Sequence, residues 1–290
     1  MNNTAFAQFD THSARAAITC DSGLGDGTPG LDARQTATIS WHEKGAVSKA
    51  AATGASLTSD CAHCSSRRFC MPEGFDPKNA EAHKAVFGNT RKVKQGEAIF
   101  RAGEPFRNLY VAKVGSSKTV AVDNEGREQI IGFQIAGEFM GLDGISTGRH
   151  AFDAIALEDS IVCSLPYAAL AAMSERDVSL RNHLHKLLSR ELVRESALLM
   201  LIGRMEAVER VVAFLLNLSK RYAQRGYSAH EFILRMTREE IGCHLGVKLE
   251  TVSRALSKLG SLGLIKCAGK NVSITDMAGL EQLSGHCIPH

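Results

Sequence analysis

Short apolar runs separated by glycines dominate the pattern of residues 90–166. The runs are LYVAKV (109–114), KTVAV (118–122), QIIGFQI (129–135) and SIVCSLP (160–166). Runs of this length, rich in β-branched residues and bounded by turn glycines, are typical of β-strands. This part of the chain therefore predicts an all-β sandwich or barrel.

A leucine pattern of helical period follows over residues 170–205, where the first Gly or Pro is Gly203. One seam advances by 3, 4, 3, 4 and 3 positions through His185, Leu188, Leu192, Glu195, Leu199 and Ile202. That rhythm is the a/d spacing of a two-stranded coiled coil. A helix packed only on its own domain is the alternative. The length of the helix favours self-association through the seam.

The last third of the chain predicts a short helix pair followed by a hairpin. After the helix VERVVAFLLNLSKRYAQRG, Thr237 and Glu240 have the spacing of a capping box at a helix start. Gly246 supplies the turn into a second helix, on which Leu249, Val252, Leu256 and Leu259 are predicted to share the inner face. LIKCAGKNVSI (264–274) reads as a hairpin beyond it.

The outer face of that second helix carries side chains suited to DNA. Glu250 can accept from cytosine, Arg254 can bind guanine, and Ser253 can contact thymine or phosphate. Residues 235–270 hold seven Lys or Arg against three Glu, a local excess of +4 where the whole chain has +3. Such an excess, which includes Lys258, suits phosphate contacts. A solvated amphipathic helix is the alternative, but the helix pair with its following hairpin favours a DNA reader.

Composition predicts the class of protein and its location in the cell. A chain of 290 residues with 44% hydrophobic and 22% charged residues predicts a globular protein of about two domains. No apolar stretch approaches the ~20 residues of a membrane span, and no secretory signal is apparent. These features predict a cytoplasmic protein without a membrane partner. Residues 1–60, rich in Ala, Thr, Ser, Asp and Gly, are predicted to be a flexible extension.

Eight cysteines in a cytosolic chain point to metal or redox chemistry before disulfides. Cys61, Cys64 and Cys70 form a C-x2-C-x5-C run, and a fourth ligand must come from elsewhere. The spacing leaves zinc, with a fourth thiolate or with His63, and an iron–sulfur cluster equally open. The remaining cysteines outside the strand region, namely Cys20, Cys243, Cys267 and Cys287, are interpreted as structural or ordinary thiols.

The stretch MTREEIGCHLGVKLETVSRALSKLGSLGLI resembles the winged helix-turn-helix of the CRP/FNR superfamily of transcription regulators. The likeness extends over roughly residues 61–280. It implies an α+β fold: a β-roll like that of cyclic-nucleotide-binding domains, a long dimerisation helix, and a winged helix-turn-helix. It also implies that Glu250, Ser253 and Arg254 read a TTGAT-like half-site, with Thr237 and Lys258 beside them at the DNA.

The cysteines resemble those of the fumarate–nitrate regulator branch, which has C-x2-C-x5-C before the β-roll and a further cysteine in a strand. By this resemblance Cys61, Cys64, Cys70 and Cys163 hold a [4Fe-4S] cluster. The cluster is expected to favour the homodimer without oxygen, and its damage by oxygen to release DNA. RNA polymerase is the further partner that the resemblance implies.

The same resemblance divides the chain into four predicted parts: extension 1–60, sensor 61–180, dimerisation helix 181–204 and DNA-binding domain 205–290. A cyclic nucleotide is the competing effector, since other branches bind one in the β-roll. This chain keeps Gly137-Glu138 but places His150-Ala151 where an Arg-Ser pair would hold the phosphate, which disfavours a nucleotide. No catalytic constellation is found, so the protein is not expected to be an enzyme.

Overall fold

The computed structural model of this chain describes residues 57–58, 61, 64–71, 86 and 89–284. Nearly all of the predicted extension, together with Cys20, His63 and Cys287, lies outside these residues. None of the helices within the described residues combines the length and apolar character needed to cross a bilayer.

Two antiparallel sheets form the N-terminal part. Their strands are β1 Leu57–Thr58, β2 Asn89–Val93, β3 Ala98–Phe100, β4 Asn108–Val114, β5 Ser116–Val122, β6 Glu128–Ile135, β7 Phe139–Met140, β8 Asp153–Ala156 and β9 Ser160–Pro166. One sheet has the order β1-β2-β9-β4-β7 and the other β3-β8-β5-β6. The four apolar runs predicted as strands correspond to β4, β5, β6 and β9.

The two sheets bury one core between them. Phe100 of β3 and Ala154 of β8 come from one sheet, and Ala112 of β4 and Val162 of β9 come from the other. Each of these side chains is at most 2% exposed. Glycines with positive φ, such as Gly115 between β4 and β5, allow the tight reversals that stack the sheets.

Helices and a small third sheet complete the chain. The helices are α1 Arg67–Cys70, α2 Tyr167–Arg176, α3 Val178–Arg204, α4 Ala207–Gln224, α5 Arg238–Leu245, α6 Leu249–Ser261 and α7 Met277–Leu283. Strands β10 Glu231–Ile233, β11 Ile265–Ala268 and β12 Asn271–Ile274 form the third sheet in the order β10-β12-β11. The predicted α+β class, with a β-roll before helices and a winged helix-turn-helix, is confirmed.

Helix α3 begins at Val178, because the Asp177 side chain accepts hydrogen bonds from the backbone N–H groups of Ser179 and Leu180. Its predicted seam faces outward: Leu188 is 38% exposed, Leu192 64% and Leu199 73%. The long helix therefore carries an apolar stripe that none of the described residues covers.

The helix pair α5–α6 has the local geometry that the sequence predicts. Thr237 and Glu240 form the reciprocal capping box at the start of α5. Gly246 ends α5 with φ of 65°, in the left-handed region that glycine favours. On α6, Val252 and Leu259 are buried, whereas Leu249 is 42% exposed, so its predicted inward position is wrong. Leu249 is the first residue of α6, ahead of the turns that pack on the core.

The DNA-binding part docks on the β-roll through α5 and β6. Gln129 Nε2 donates to the Cys243 carbonyl at 2.5 Å, and Lys118 Nζ lies 2.9 Å from a carboxylate oxygen of Glu240. Phe133 of β6 joins the same apolar core as the helix-turn-helix. The orientation of the helix pair is therefore set by contacts with the sensor part.

Candidate metal centre and nucleic-acid interface

Four cysteines from distant parts of the chain line one small cavity. Cys61, Cys64 and Cys70 come from the segment ahead of the sheets, and Cys163 comes from β9. The cavity has a volume of about 20 Å³. The other residues that line it are Ser66, Arg67, Met71, Val111, Lys113 and Leu165.

Local contacts hold the cysteine segment over the sheet. The Ser66 hydroxyl donates to the Lys113 carbonyl of β4 at 3.4 Å. The short helix α1 brings the Cys70 thiol to 3.6 Å from the Arg67 carbonyl. Met71 is 3% exposed and packs into the apolar core below. The segment is thereby attached to the sheet on both sides of α1.

Cys163 lies in the middle of its sheet, with Thr90 of β2 and Val111 of β4 as its register partners. Val162 faces the core between the two sheets, whereas Cys163 and Leu165 face the apolar cluster on the other side of their sheet. The Cys163 side chain lines the same cavity as the other three cysteines.

Burial, together with the neighbouring Cys64, Cys163 and Cys61, raises the pKa of the Cys70 thiol to about 12. Burial likewise raises the pKa of Cys163 to about 12, where Lys113 acts in the opposite direction. The chain by itself therefore holds Cys70 and Cys163 as neutral thiols at neutral pH.

The donor set fits a group held by four sulfurs, since cubane clusters and structural zinc both take four thiolates. Met71, Val111 and Leu165 give the cavity an apolar wall that keeps water from the sulfurs. Within the described residues, no group of three or more His, Cys, Asp or Glu stands in metal-binding geometry. The cavity has room for about one water, so a cubane has to widen it.

The second candidate site is the outer face of α6. Glu250, Arg254 and Lys258 are exposed, and Ser253 is half-buried. Arg254 Nη2 lies 3.3 Å from the Thr251 hydroxyl, which steadies the guanidinium at the surface. The residues that the sequence assigns to DNA reading are thus together on one accessible face.

Arg238 also lies beside this face. From the sequence, Arg238 contributed only to the local excess of positive charge. The residue follows the Thr237 cap, and its Nη2 donates to the Gly269 carbonyl of the wing at 2.9 Å. Its Nη1 is buried without a hydrogen-bond partner in the described part of the chain. A groove of about 400 Å³ opens there, lined by Arg238, Ser253, Leu256, Ser257, Gly260, Cys267 and Gly269. The sequence signal for Arg238 was its position directly after a helix cap, because backbone N–H groups and cations at a helix start attract phosphate.

Glu138, weighed above as part of a nucleotide site, is engaged by the chain's own arginines. It is 6% exposed and pairs with Arg221 and, at 2.9 Å, with Arg225 Nη2. Arg194 Nη2 of α3 lies 3.6 Å away. Burial alone would raise the pKa of Glu138, but the three arginines lower it to about 2. The carboxylate is therefore ionised and already paired.

Comparison with known proteins agrees with this architecture. Residues 90–177 match the cyclic nucleotide-binding domain family, and residues 209–283 match the Crp-like helix-turn-helix domain family. The chain is 41% identical to the transcriptional regulatory protein btr of Bordetella pertussis, over 79% of this chain and 96% of that protein. It is 35% identical to the fumarate and nitrate reduction regulatory protein of Escherichia coli, over 78% of this chain and 90% of that protein.

Among solved structures, FixK2 from Bradyrhizobium japonicum superposes with a TM-score of 0.63 at 30% identity, covering 68% of this chain and 97% of FixK2. The β-roll, the long helix and the winged helix-turn-helix define a DNA-binding transcription regulator. The chain belongs to the CRP/FNR family, and the resemblance found in its sequence is confirmed.

Proposed function

We propose that this protein is an oxygen-responsive transcription regulator whose homodimer binds a palindromic, TTGAT-like DNA site. In this proposal Cys61, Cys64, Cys70 and Cys163 hold a [4Fe-4S] cluster while oxygen is absent. The observation that carries it is the convergence of these four cysteines on one apolar cavity. The fumarate and nitrate reduction regulatory protein among the relatives supports the same assignment.

When bound, the cluster supplies an oxygen-labile link between the cysteine segment and β9. The chain connects this site to the dimer helix through one apolar core. Leu170 of α2 and Leu180 of α3 are each 1% exposed and belong to the cluster against which Cys61 and Cys163 pack. Widening or collapse of the cavity therefore shifts the first turns of α3.

The dimer uses the exposed seam of α3, with Leu188, Leu192, Leu199 and Ile202 meeting the same residues of the second copy. Glu195 lies on the same exposed face. Two facing carboxylates repel each other and lose water, so they oppose association. The leucines and the glutamate thus oppose one another, which leaves the dimer responsive to the start of α3.

DNA reading follows from two copies of α6 on one palindrome. Glu250, Ser253 and Arg254 contact base edges, while Thr237 and Lys258 contact the backbone. A monomer loses the avidity of the second half-site and releases the DNA. Contact with RNA polymerase, which the family resemblance implies, belongs to the same proposal.

The test is purification without oxygen, followed by iron, sulfide and zinc analysis and a visible spectrum. We expect a brown protein with about four iron and four sulfide per chain. Cys163→Ser should lose the iron and the anaerobic DNA binding, whereas the matched variant Cys20→Ser, at a cysteine outside the candidate sites, should keep both.

Two outcomes contradict the proposal. A colourless protein with stoichiometric zinc would make the four sulfurs a structural zinc site without an oxygen response. DNA binding that requires a cyclic nucleotide and ignores iron would make the β-roll a nucleotide sensor. The pairing of Glu138 with its arginines disfavours the second outcome.

A further inference from the structure

A contact between the cysteine segment and the DNA-binding part accompanies the candidate metal centre. Arg68 and Phe69 directly precede Cys70 in α1. Arg68 Nη2 donates to the backbone carbonyl of Gln224 at 2.7 Å. Gln224 is the last residue of α4. Two residues of the cysteine segment thus reach the first helix of the DNA-binding part.

Phe69 lies between two guanidinium groups. The Arg68 and Arg225 guanidinium carbons are each 4.7 Å from the centre of its ring. A cation over an aromatic face is attracted by the charge distribution of the ring, and more strongly where water is excluded. The ring also lies against Gly137, where an added Cβ would meet Phe69 atoms at 3.1 Å. Only a glycine lets the turn approach the ring this closely.

The turn at Gly137 also binds Arg225. Arg225 Nε donates to the Ala136 carbonyl at 2.5 Å, and Arg225 Nη2 lies 2.9 Å from Glu138. Arg221, one helical turn earlier, also binds Glu138. The cysteine segment, the β6–β7 turn and the end of α4 therefore form one continuous junction.

We propose that Arg68 and Phe69 are coupling residues, which transmit the state of the cysteine segment to the DNA-binding domain by holding the end of α4. This proposal deepens the proposed function and rests on it for the event that rearranges the segment. Because Phe69 is adjacent to Cys70, a change in the positions of the cysteine sulfurs moves the Phe69 ring away from the guanidinium groups of Arg68 and Arg225. The end of α4 then loses one of its attachments and keeps the bonds of Arg221 and Arg225 to the β6–β7 turn, so the helix pair beyond it is fixed less firmly.

The junction contacts α3 through Arg194, 3.6 Å from Glu138, whereas the leucines of the dimer seam lie on the outward face of that helix. The junction provides a second route from the cysteines to DNA, acting within one chain rather than between two. Dimer strength and DNA affinity are therefore expected to separate in variants of the junction.

Amide hydrogen exchange of the last turn of α4 tests the contact. The reporters are the N–H groups of Arg225, Gly226 and Tyr227, which bond to carbonyls of Tyr222 and Ala223. Arg68→Ala should speed their exchange by about tenfold, since it removes a charged hydrogen bond and a cation–π contact. Arg101→Ala, which removes a distant surface ion pair with Asp153, should leave the exchange at the wild-type rate.

A second variant tests the same contact in case Arg68→Ala does not fold. Phe69→Leu keeps an apolar side chain on Gly137 but removes the ring face, and it should also speed exchange at the end of α4. Both variants should keep wild-type iron content and dimerisation, and both should show a smaller difference in DNA affinity between iron-loaded and iron-stripped protein.

Unchanged exchange in both variants overturns the contact. Faster exchange with an unchanged difference between loaded and stripped protein overturns its role in coupling. If the wild type contains no iron, the proposed function fails, while the exchange comparison still decides whether the junction holds α4.

Discussion

Truncation of Leu199 on α3 is the sharpest test of the dimer interface. Leu199 is 73% exposed in the single chain, so Leu199→Ala should leave the fold of the monomer unchanged. Burial of a leucine side chain contributes about 2 kcal/mol. With about three quarters of that still available and two copies in a symmetric dimer, the loss is roughly 3 kcal/mol per dimer.

A loss of this size weakens dimerisation about a hundredfold. Sedimentation velocity of the iron-loaded protein under nitrogen measures it directly over a concentration series. Met200→Ala is the matched control, because Met200 is 49% exposed on the same helix but one position outside the seam. It should change the dimer constant less than tenfold.

Equal effects of Leu199→Ala and Met200→Ala would refute the seam and indicate another face of α3. A large fall in the thermal stability of the Leu199→Ala monomer would show instead that the side chain supports its own domain. Either result would remove this seam from the proposed oxygen response.

Three further predictions address the switch, the DNA and the docked interface. Glu195→Ala should give a dimer that binds DNA in air without iron; an aerobic monomer in ultracentrifugation would contradict this. Arg254→Ala should weaken binding to a guanine-containing half-site by about 1–3 kcal/mol and reduce the preference for that base, whereas Lys258→Ala should weaken binding to all sequences equally. An equal loss of affinity for specific and random DNA in Arg254→Ala would argue against a base contact. Burial lowers the pKa of His244 from 6.5 to about 4, so the unfolded chain takes up a proton first as pH falls. Stability should therefore decline between pH 6.5 and 4, by at most about 3 kcal/mol, and chemical denaturation should show a shallower decline in His244→Gln.

Local patterns predicted much of the fold and both candidate sites. Short runs rich in β-branched residues and bounded by glycines identified β4, β5, β6 and β9, because such runs favour extended backbone between turns. The capping box at Thr237 and the turn at Gly246 were readable, since each depends on a few adjacent residues. The spacing of Cys61, Cys64 and Cys70 indicated a common centre for the same reason.

Other features of the site required the tertiary structure. Cys163 was tied to the other cysteines by resemblance alone, and only the register of β9 between β2 and β4 places it at the same cavity. Strand β10 and the contact of Arg238 with Gly269 were missed, because both depend on residues some 30 to 40 positions away. The inward position predicted for Leu249 was wrong because helical period alone does not say where the core begins.

The sequence by itself thus determined the order of most elements, the cysteine motif and the charged outer face of α6, all of which are set by local spacing. The tertiary structure decided which distant groups meet: four cysteines at one cavity, three arginines around Glu138, and Phe69 against Arg225. Such meetings depend on how the sheets stack and how α5 docks on β6. Both are governed by burial of apolar surface summed over many residues, and no short stretch of sequence records that sum.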